Sequence, residues 1–407
     1  MITPDNCEKQ SKWVGIFDPT LYIPIIDSLS LHLTIADVLV ICQVCKALGN
    51  LKDYMLKKVS NINERLRDFV NNPTLFRTKL GQYDALISGH FARSLFDLKP
   101  IKALHLDVFV CDGADAEHLA QYLEDHEGYK IDAETTSMPT SELVTYNSIS
   151  RIGVRLRFTR TRGAPIHHIL TSSYTTACIN VVTWNKAFSM FPLDTLIKHR
   201  FYPLKPFDDG FGSRLKELAH QGWTTRNIIW PDLEDAGHSR ITRLRRVGDN
   251  YSLIIPLNTS AVTRPSIPDL VIEYAQFQIL NDNQPHTPWP RSTPRQTGLL
   301  GRPSRDLRSP KGSFLELHAK EMKSPGARYT YTTSSSSSGW TMYVTERLHR
   351  WAWLEIFKMG TQSTDWLTSN TFPLVSEIPN FEKPDTWDYA DDQIPNWYLE
   401  WMKKARG

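Results

Sequence analysis

The chain has 407 residues, 41% of them hydrophobic, with 12 Trp, 15 Tyr and 17 Phe, which is enough apolar surface for a large core and excludes wholesale disorder. At roughly 150 residues per domain, this length suggests two or three domains. Lys and Arg number 47 against 44 Asp and Glu, a net charge of +3, so composition makes no electrostatic case for a nucleic-acid or membrane partner. The segment Met1–Trp13 is polar and lacks the apolar core of a secretory signal. The longest apolar run, near Val38–Cys42, falls far short of the roughly 20 residues that span a bilayer. Five cysteines, few and odd in number, point to reduced thiols and an intracellular protein of cytoplasm or nucleus.

The first expected element is a helix. Ile35, Val38, Leu39 and Cys42 recur at helical spacing, and Ile41, Val44, Cys45 and Leu48 repeat it. Thr34 with Asp37 offers a start, and Gly49-Asn50 a stop. Shorter helices are expected at 51–59, 61–70 and 74–80. A strand at 85–87 ends in Ser88-Gly89, followed by a helix at 91–96. Leu104, Leu106, Val108 and Val110 alternate with more polar positions, the period-two signature of a strand, and a helix follows at 115–126. Further strands are expected at 152–158, 168–171 and 178–184, and helices at 193–199 and 213–221. Residues 240–257 read as a hairpin turning through Gly248-Asp249-Asn250.

Residues 281–312 break the pattern, with six basic residues against two acidic ones among many Pro, Ser and Thr. Such a segment cannot bury enough apolar surface to offset the entropy of ordering it, so a disordered basic insert is expected. Ser334–Ser338 is a second low-complexity run. A Trp-rich C-terminal extension covers 313–407, with a helix near 345–358 and Trp387, Trp397 and Trp401 beyond it.

Three motifs invite chemistry and are read plainly. Cys42-x-x-Cys45 lacks a second ligand pair, so it reads as buried core thiols rather than half a zinc site. Pro206 to Gly212 lacks the spacing and the Lys of a phosphate-binding loop and reads as a turn. Arg151, Arg155 and Arg157 share one face of a strand; a solvated face is favoured over a phosphate-binding one. No GxSxG or HExxH sequence is present.

The stretch from Leu86 through Ser88, Gly89 and His90, then Leu104-His105-Leu106-Asp107-Val108, resembles the nucleotidyltransferase fold. That family has a strand ending in Gly-Ser, a helix, and a strand bearing two carboxylates two residues apart. Residues i and i+2 of a strand share a face, so the two carboxylates and a third from a later strand can hold two Mg²⁺ ions on a triphosphate. Here His90 stands where the family has Ser, His105 takes the first carboxylate position, and Asp107 is retained. Asn180 is the expected position of the third acid. The resemblance therefore implies a degenerate ligand-binding cleft around Ser88, Gly89, His105, Asp107 and Asn180, with no catalytic residues, metal or cofactor.

A second resemblance is to the F-box, carried by Tyr22-Ile23-Pro24-Ile25-Ile26, Leu33 to Leu39 and Val44-Cys45-Lys46-Ala47-Leu48. It implies binding of a Skp-type linker subunit of a cullin ubiquitin ligase through Pro24, Ile26, Leu39, Val44 and Leu48. The order of both elements also resembles a family of fungal proteins without an assigned activity, through Tyr174-Thr175-Thr176, Val182 to Ser189 and Arg245 to Asp249.

The expected fold is α+β: an F-box-like helical segment at 20–80 packed on a mixed-sheet nucleotidyltransferase-like domain at 81–275. The expected function is that of a non-catalytic interaction protein, an adaptor whose degenerate domain binds a target protein or small ligand. A metal-dependent nucleotidyltransferase with an atypical site around Asp107 is the alternative.

Overall fold

A computed structural model describes residues 22–30, 32–33, 35–44, 51, 54–55, 61–96, 103, 105–132, 143–148, 153–206, 209–220, 223, 242–281, 315–334, 339–358 and 383–406. The cysteine motif's Cys45, Leu48 and nearly all of the basic insert lie outside these residues.

Helices come first. In α1 (Ile23–Ser30) Ile26 is buried while Ile23, Pro24 and Ile25 are exposed. Helix α2 spans Ile35–Val44, with Val38 buried and Val40 exposed. The Tyr54 hydroxyl donates to Asp27 Oδ1 at 2.8 Å. After α3 (Ile62–Leu66), α4 (Pro73–Gln82) opens with Pro73 in its first turn, and the Asn72 side chain accepts from the Leu75 N–H at 3.0 Å. Proline needs no partner there, and Asn satisfies a free helical N–H. Helix α4 buries Phe76, Leu80 and Arg77.

The α/β core follows in chain order: β1 (Leu86–Ser88), α5 (Gly89–Ser94), β2 (His105–Cys111), α6 (Ala114–Asp125), β3 (Tyr129–Ile131), β4 (Leu143–Ser148), β5 (Arg155–Thr161), α7 (Pro165–Ser172), β6 (Asn180–Val182), β7 (Lys186–Ser189), α8 (Asp209–His220), β8 (Leu244–Arg246) and β9 (Leu253–Pro256). Among the described residues, β3-β4-β5-β2-β1-β6-β7-β9 form one eight-stranded sheet. It is mixed: β2 and β5 run parallel, and the other neighbours are antiparallel. The fold is thus α+β, and β1, α5 and β2 have the strand–helix–antiparallel-strand order expected of a nucleotidyltransferase-like core.

Both faces of the sheet are covered. Ile87, Leu106, Val108, Leu156, Phe158 and Val182 enter one apolar cluster with the N-terminal helices and α6. Leu86, Val181 and Phe188 enter a second with Ile166, Ile169 and Leu170 of α7. Strand alternation sorts neighbours into opposite clusters, and each fully buried side chain of this size contributes about 1.5–3 kcal/mol.

Several expected elements are corrected. Residues 168–171 are helical: Pro165 presets the first turn, and Ile166, Ile169 and Leu170 form a buried stripe at helical spacing. Asp209 to Gly212, read as a turn, is the first turn of α8. Leu193–Ile197 is a π-helical turn. The 240–257 hairpin does not form. Asp249 accepts from the backbone N–H of Arg246 and Tyr251 at 3.1 and 2.9 Å, closing a turn that sends the flanking strands to different sheets. Strand β9 pairs with β7, whereas β8 pairs with β10 (Gln276–Asn281), which follows the short α9 (Leu270–Glu273).

Past the insert, β11 (Leu315–His318) pairs with β10, and β12 (Lys320–Met322) with β13 (Tyr331–Thr333). Helix α10 (Gly339–Lys358) starts earlier than expected and packs with α11 (Ile394–Arg406) around Trp340, Leu348, Ile394 and Trp397. No described helix is long and apolar enough to cross a membrane.

Candidate functional site

The register of three strands builds the site. Ser88 lies opposite Asp107 across the β1–β2 pair, and Asp107 opposite Arg157 across the β2–β5 pair. Opposed residues share a face, so these three side chains form one row. Arg157 Nε donates to Asp107 Oδ1. On the other side, His105 Nε2 stands 3.4 Å from Asp107 Oδ2, without the geometry of a formed hydrogen bond. Ser88 Oγ donates to the Asn180 carbonyl at 2.8 Å.

Gly89 follows Ser88 directly and starts α5 with φ at +71°, a conformation that disfavours any residue with a Cβ. This bend lets the chain turn away while Asp107 packs against its backbone.

A cleft of about 490 Å³ opens over this row. Ser88, Gly89, His90, Arg93, His105, Asp107 and Arg157 line one part of it, and Phe109, Thr159, Tyr174 and Cys178 another. The Asp107 side chain is 8% exposed and Arg157 40%, so the ion pair has one partner buried and one at the mouth. Burial pushes the Asp107 carboxyl up, but the nearby His105 imidazole and the hydrogen bond and charge of Arg157 outweigh it and hold it below its ordinary value. Asp107 is therefore a carboxylate at neutral pH, already neutralised by a guanidinium.

The structure brings Ser88, Gly89, His105 and Asp107 together as expected positions of one cleft, and leaves Asn180 out of its lining. The reason is strand parity. Val182 pairs with Ile87, on the face opposite Ser88 and Asp107, and Asn180 lies two residues from Val182 on that same face. Its amide donates to the Ala177 carbonyl at 2.8 Å, inside the protein. On the side away from β1 the neighbour of Asp107 is Arg157 of β5, a side chain still 40% exposed.

The two Mg²⁺ ions implied by the resemblance do not fit this donor set. One carboxylate is present, it is bound to Arg157, and no cluster of three or more His, Cys, Asp or Glu among the described residues could hold a metal ion. A divalent ion beside Asp107 would meet an Arg rather than a second acid.

Of the linker-binding positions, Pro24 is exposed and Ile26 buried; the side chains of Leu39 and Val44, and all of Leu48, lie outside the described residues. Among the described residues here, the large hydrophobic side chains Tyr22, Ile23, Ile25 and Val40 are exposed.

No family model and no curated protein matches the chain. Among solved structures it is similar to a CCA-adding enzyme in an apo form, at 18% identity and a TM-score of 0.27, over 35% of this chain and 36% of that one. CCA-adding enzyme complexes with CTP and with ATP match at 19% and 20% identity, both with TM-scores of 0.23 and each over 30% of this chain. The chain thus spans about a third of the length of these structures, and at such scores the likeness carries no argument about activity.

Proposed function

We propose that the protein is a non-catalytic binding protein, an F-box-like adaptor whose nucleotidyltransferase-like domain holds a ligand or partner rather than transferring a nucleotide. The observation that supports this is the Arg157–Asp107 pair. Two-metal chemistry needs clustered carboxylates to neutralise four positive charges, and this cleft offers one carboxylate with a cation already on it. The apolar side chains exposed on α1 and α2 support the adaptor part of the reading.

A calorimetric titration with ATP and Mg²⁺ tests the non-catalytic part. Affinity no tighter than about millimolar, a binding free energy near −4 kcal/mol, is expected. Micromolar binding that disappears in Asp107→Asn would instead establish the nucleotidyltransferase reading.

A further inference from the structure

At its β3–β4–β5 end the sheet leaves one face open. Tyr129, Tyr146, Leu156 and Leu106 turn into the apolar cluster, so the residues beside them in each strand point the other way. In register, Lys130 lies opposite Asn147, Asn147 opposite Arg155 and Arg155 opposite His105, one row across four strands. His105 ends the row beside Asp107. Lys130 and Arg155 are exposed and Asn147 is half-buried. The side chains of these three have no hydrogen bond, ion pair or ring contact among the described residues. The acids of this face lie in the next row and are engaged: Asp107 with Arg157, and Asp132 at the sheet edge in an interaction of its own. Two free cations therefore stand in one row with only a neutral amide between them.

We propose that this row docks an acidic segment of a partner protein, with carboxylates on Lys130 and Arg155 and a polar group on the Asn147 amide. This names the target chemistry of the adaptor reading above and rests on it. The spacing supports it. Neighbouring strands stand about 4.8 Å apart, so Lys130 and Arg155, two strands apart, are rooted about 9.6 Å from each other. In a polyproline-type segment, residues three apart share a side and are about 9.3 Å apart. A lysine on an edge strand can serve simply to block strand pairing, but Arg155 lies on β5, between β4 and β2, where there is no edge to block. A single-stranded nucleic acid fits less well, because the row holds no Phe, Tyr or Trp on which a base could stack.

The probe is a fluorescein-labelled peptide of Pro-Glu-Pro repeats, read by anisotropy against the full chain at low salt. Binding is expected to saturate below about 1 mM and to weaken at least about fivefold when salt is raised to about 0.3 M. Lys130→Gln and Arg155→Gln should each weaken it about twofold to fivefold and together about tenfold, with thermal unfolding within a few degrees of wild type. Lys216→Gln with Lys403→Gln removes the same charge from exposed positions elsewhere and should change binding by less than about twofold. Equal losses in the two double variants, or a Pro-Gln-Pro peptide that binds as well as the Glu one, overturns the proposal. Oligouridylate that binds more tightly than the peptide and is lost in Lys130→Gln with Arg155→Gln also overturns it, in favour of a single-stranded nucleic acid. Retention of the linker subunit and affinity for ATP are measured separately, so failure of the adaptor reading is distinguished from failure of this one.

Discussion

Gly89 and Asp107 occupy each other's space: a Cβ built on Gly89 would lie 2.2 Å from Asp107 Oδ2. The carboxylate is held from two other directions, by Arg157 and by its place in β2, so it cannot retreat without breaking the ion pair. Gly89→Ala adds this collision to the strain of φ at +71°, and the expected cost is about 2–4 kcal/mol. Urea unfolding measures it. In an Asp107→Ala background the collision is gone and the backbone strain of about 1 kcal/mol should remain. Equal costs in the two backgrounds would show that the contact contributes nothing.

The Asp107 carboxyl titrates below its ordinary value in the folded chain. Its contribution is therefore fully present above the unfolded value, near pH 4, and is lost as pH falls through the folded one. Wild type and Asp107→Asn should differ at pH 7 and converge only as the pH falls from about 4 through the folded value. In Arg157→Gln, burial is opposed by His105 alone and the carboxyl should rise. Carbon-13 NMR of the Asp side chains across an acid titration reads both effects directly.

How far the sequence reaches can be judged at particular residues. Alternation at Leu106, Val108 and Val110 placed β2 and its two faces, because a strand covered on both sides still separates bulky aliphatics from a polar row. The same logic put His105 and Asp107 together. It failed for Asn180, because parity cannot be compared between strands until their pairing is known. It also gave no sign that the half-exposed Arg157 pairs with Asp107, because only the parallel β2–β5 register makes the two neighbours. Arg77 carried no signal at all. It is buried in α4, donating to the Trp184 and Asn258 carbonyls and to Asn63 Oδ1, and these contacts join segments up to 181 residues apart. Burial pushes its guanidinium down to about 10.

Asp84 gives a pH dependence of the opposite sign. Burial, with repulsion from Asp115, pushes its carboxyl up to about 7. The folded state then binds the extra proton between the unfolded value near 4 and pH 7, so stability falls as pH rises through this window. Asp84 also has φ at +48°, which Asn tolerates as well as Asp. Asp84→Asn should accordingly be neutral at pH 4 and more stable than wild type by about 1–3 kcal/mol at pH 8. Urea midpoints at the two pH values decide it, and a variant that is no more stable at pH 8 would contradict the assignment.

The N-terminal helices separate docking from packing within one turn. Ile25 is 43% exposed and Ile23 48%, whereas Ile26 is fully buried beside them in α1. If this face docks a Skp-type linker subunit, the exposed pair supplies apolar area to the partner while Ile26 supplies it to the protein's own core. Ile25→Asp should therefore abolish linker binding and change stability by no more than about 0.5 kcal/mol. Ile26→Ala should do the reverse in kind, costing about 2–5 kcal/mol through the cavity it leaves, with any loss of binding following the loss of fold. Co-purification of the purified chain with the linker, alongside unfolding of each variant, gives both readouts on the same samples. If wild type fails to retain the linker while its unfolding is cooperative, the adaptor reading is wrong, and the exposed isoleucines belong to some other contact.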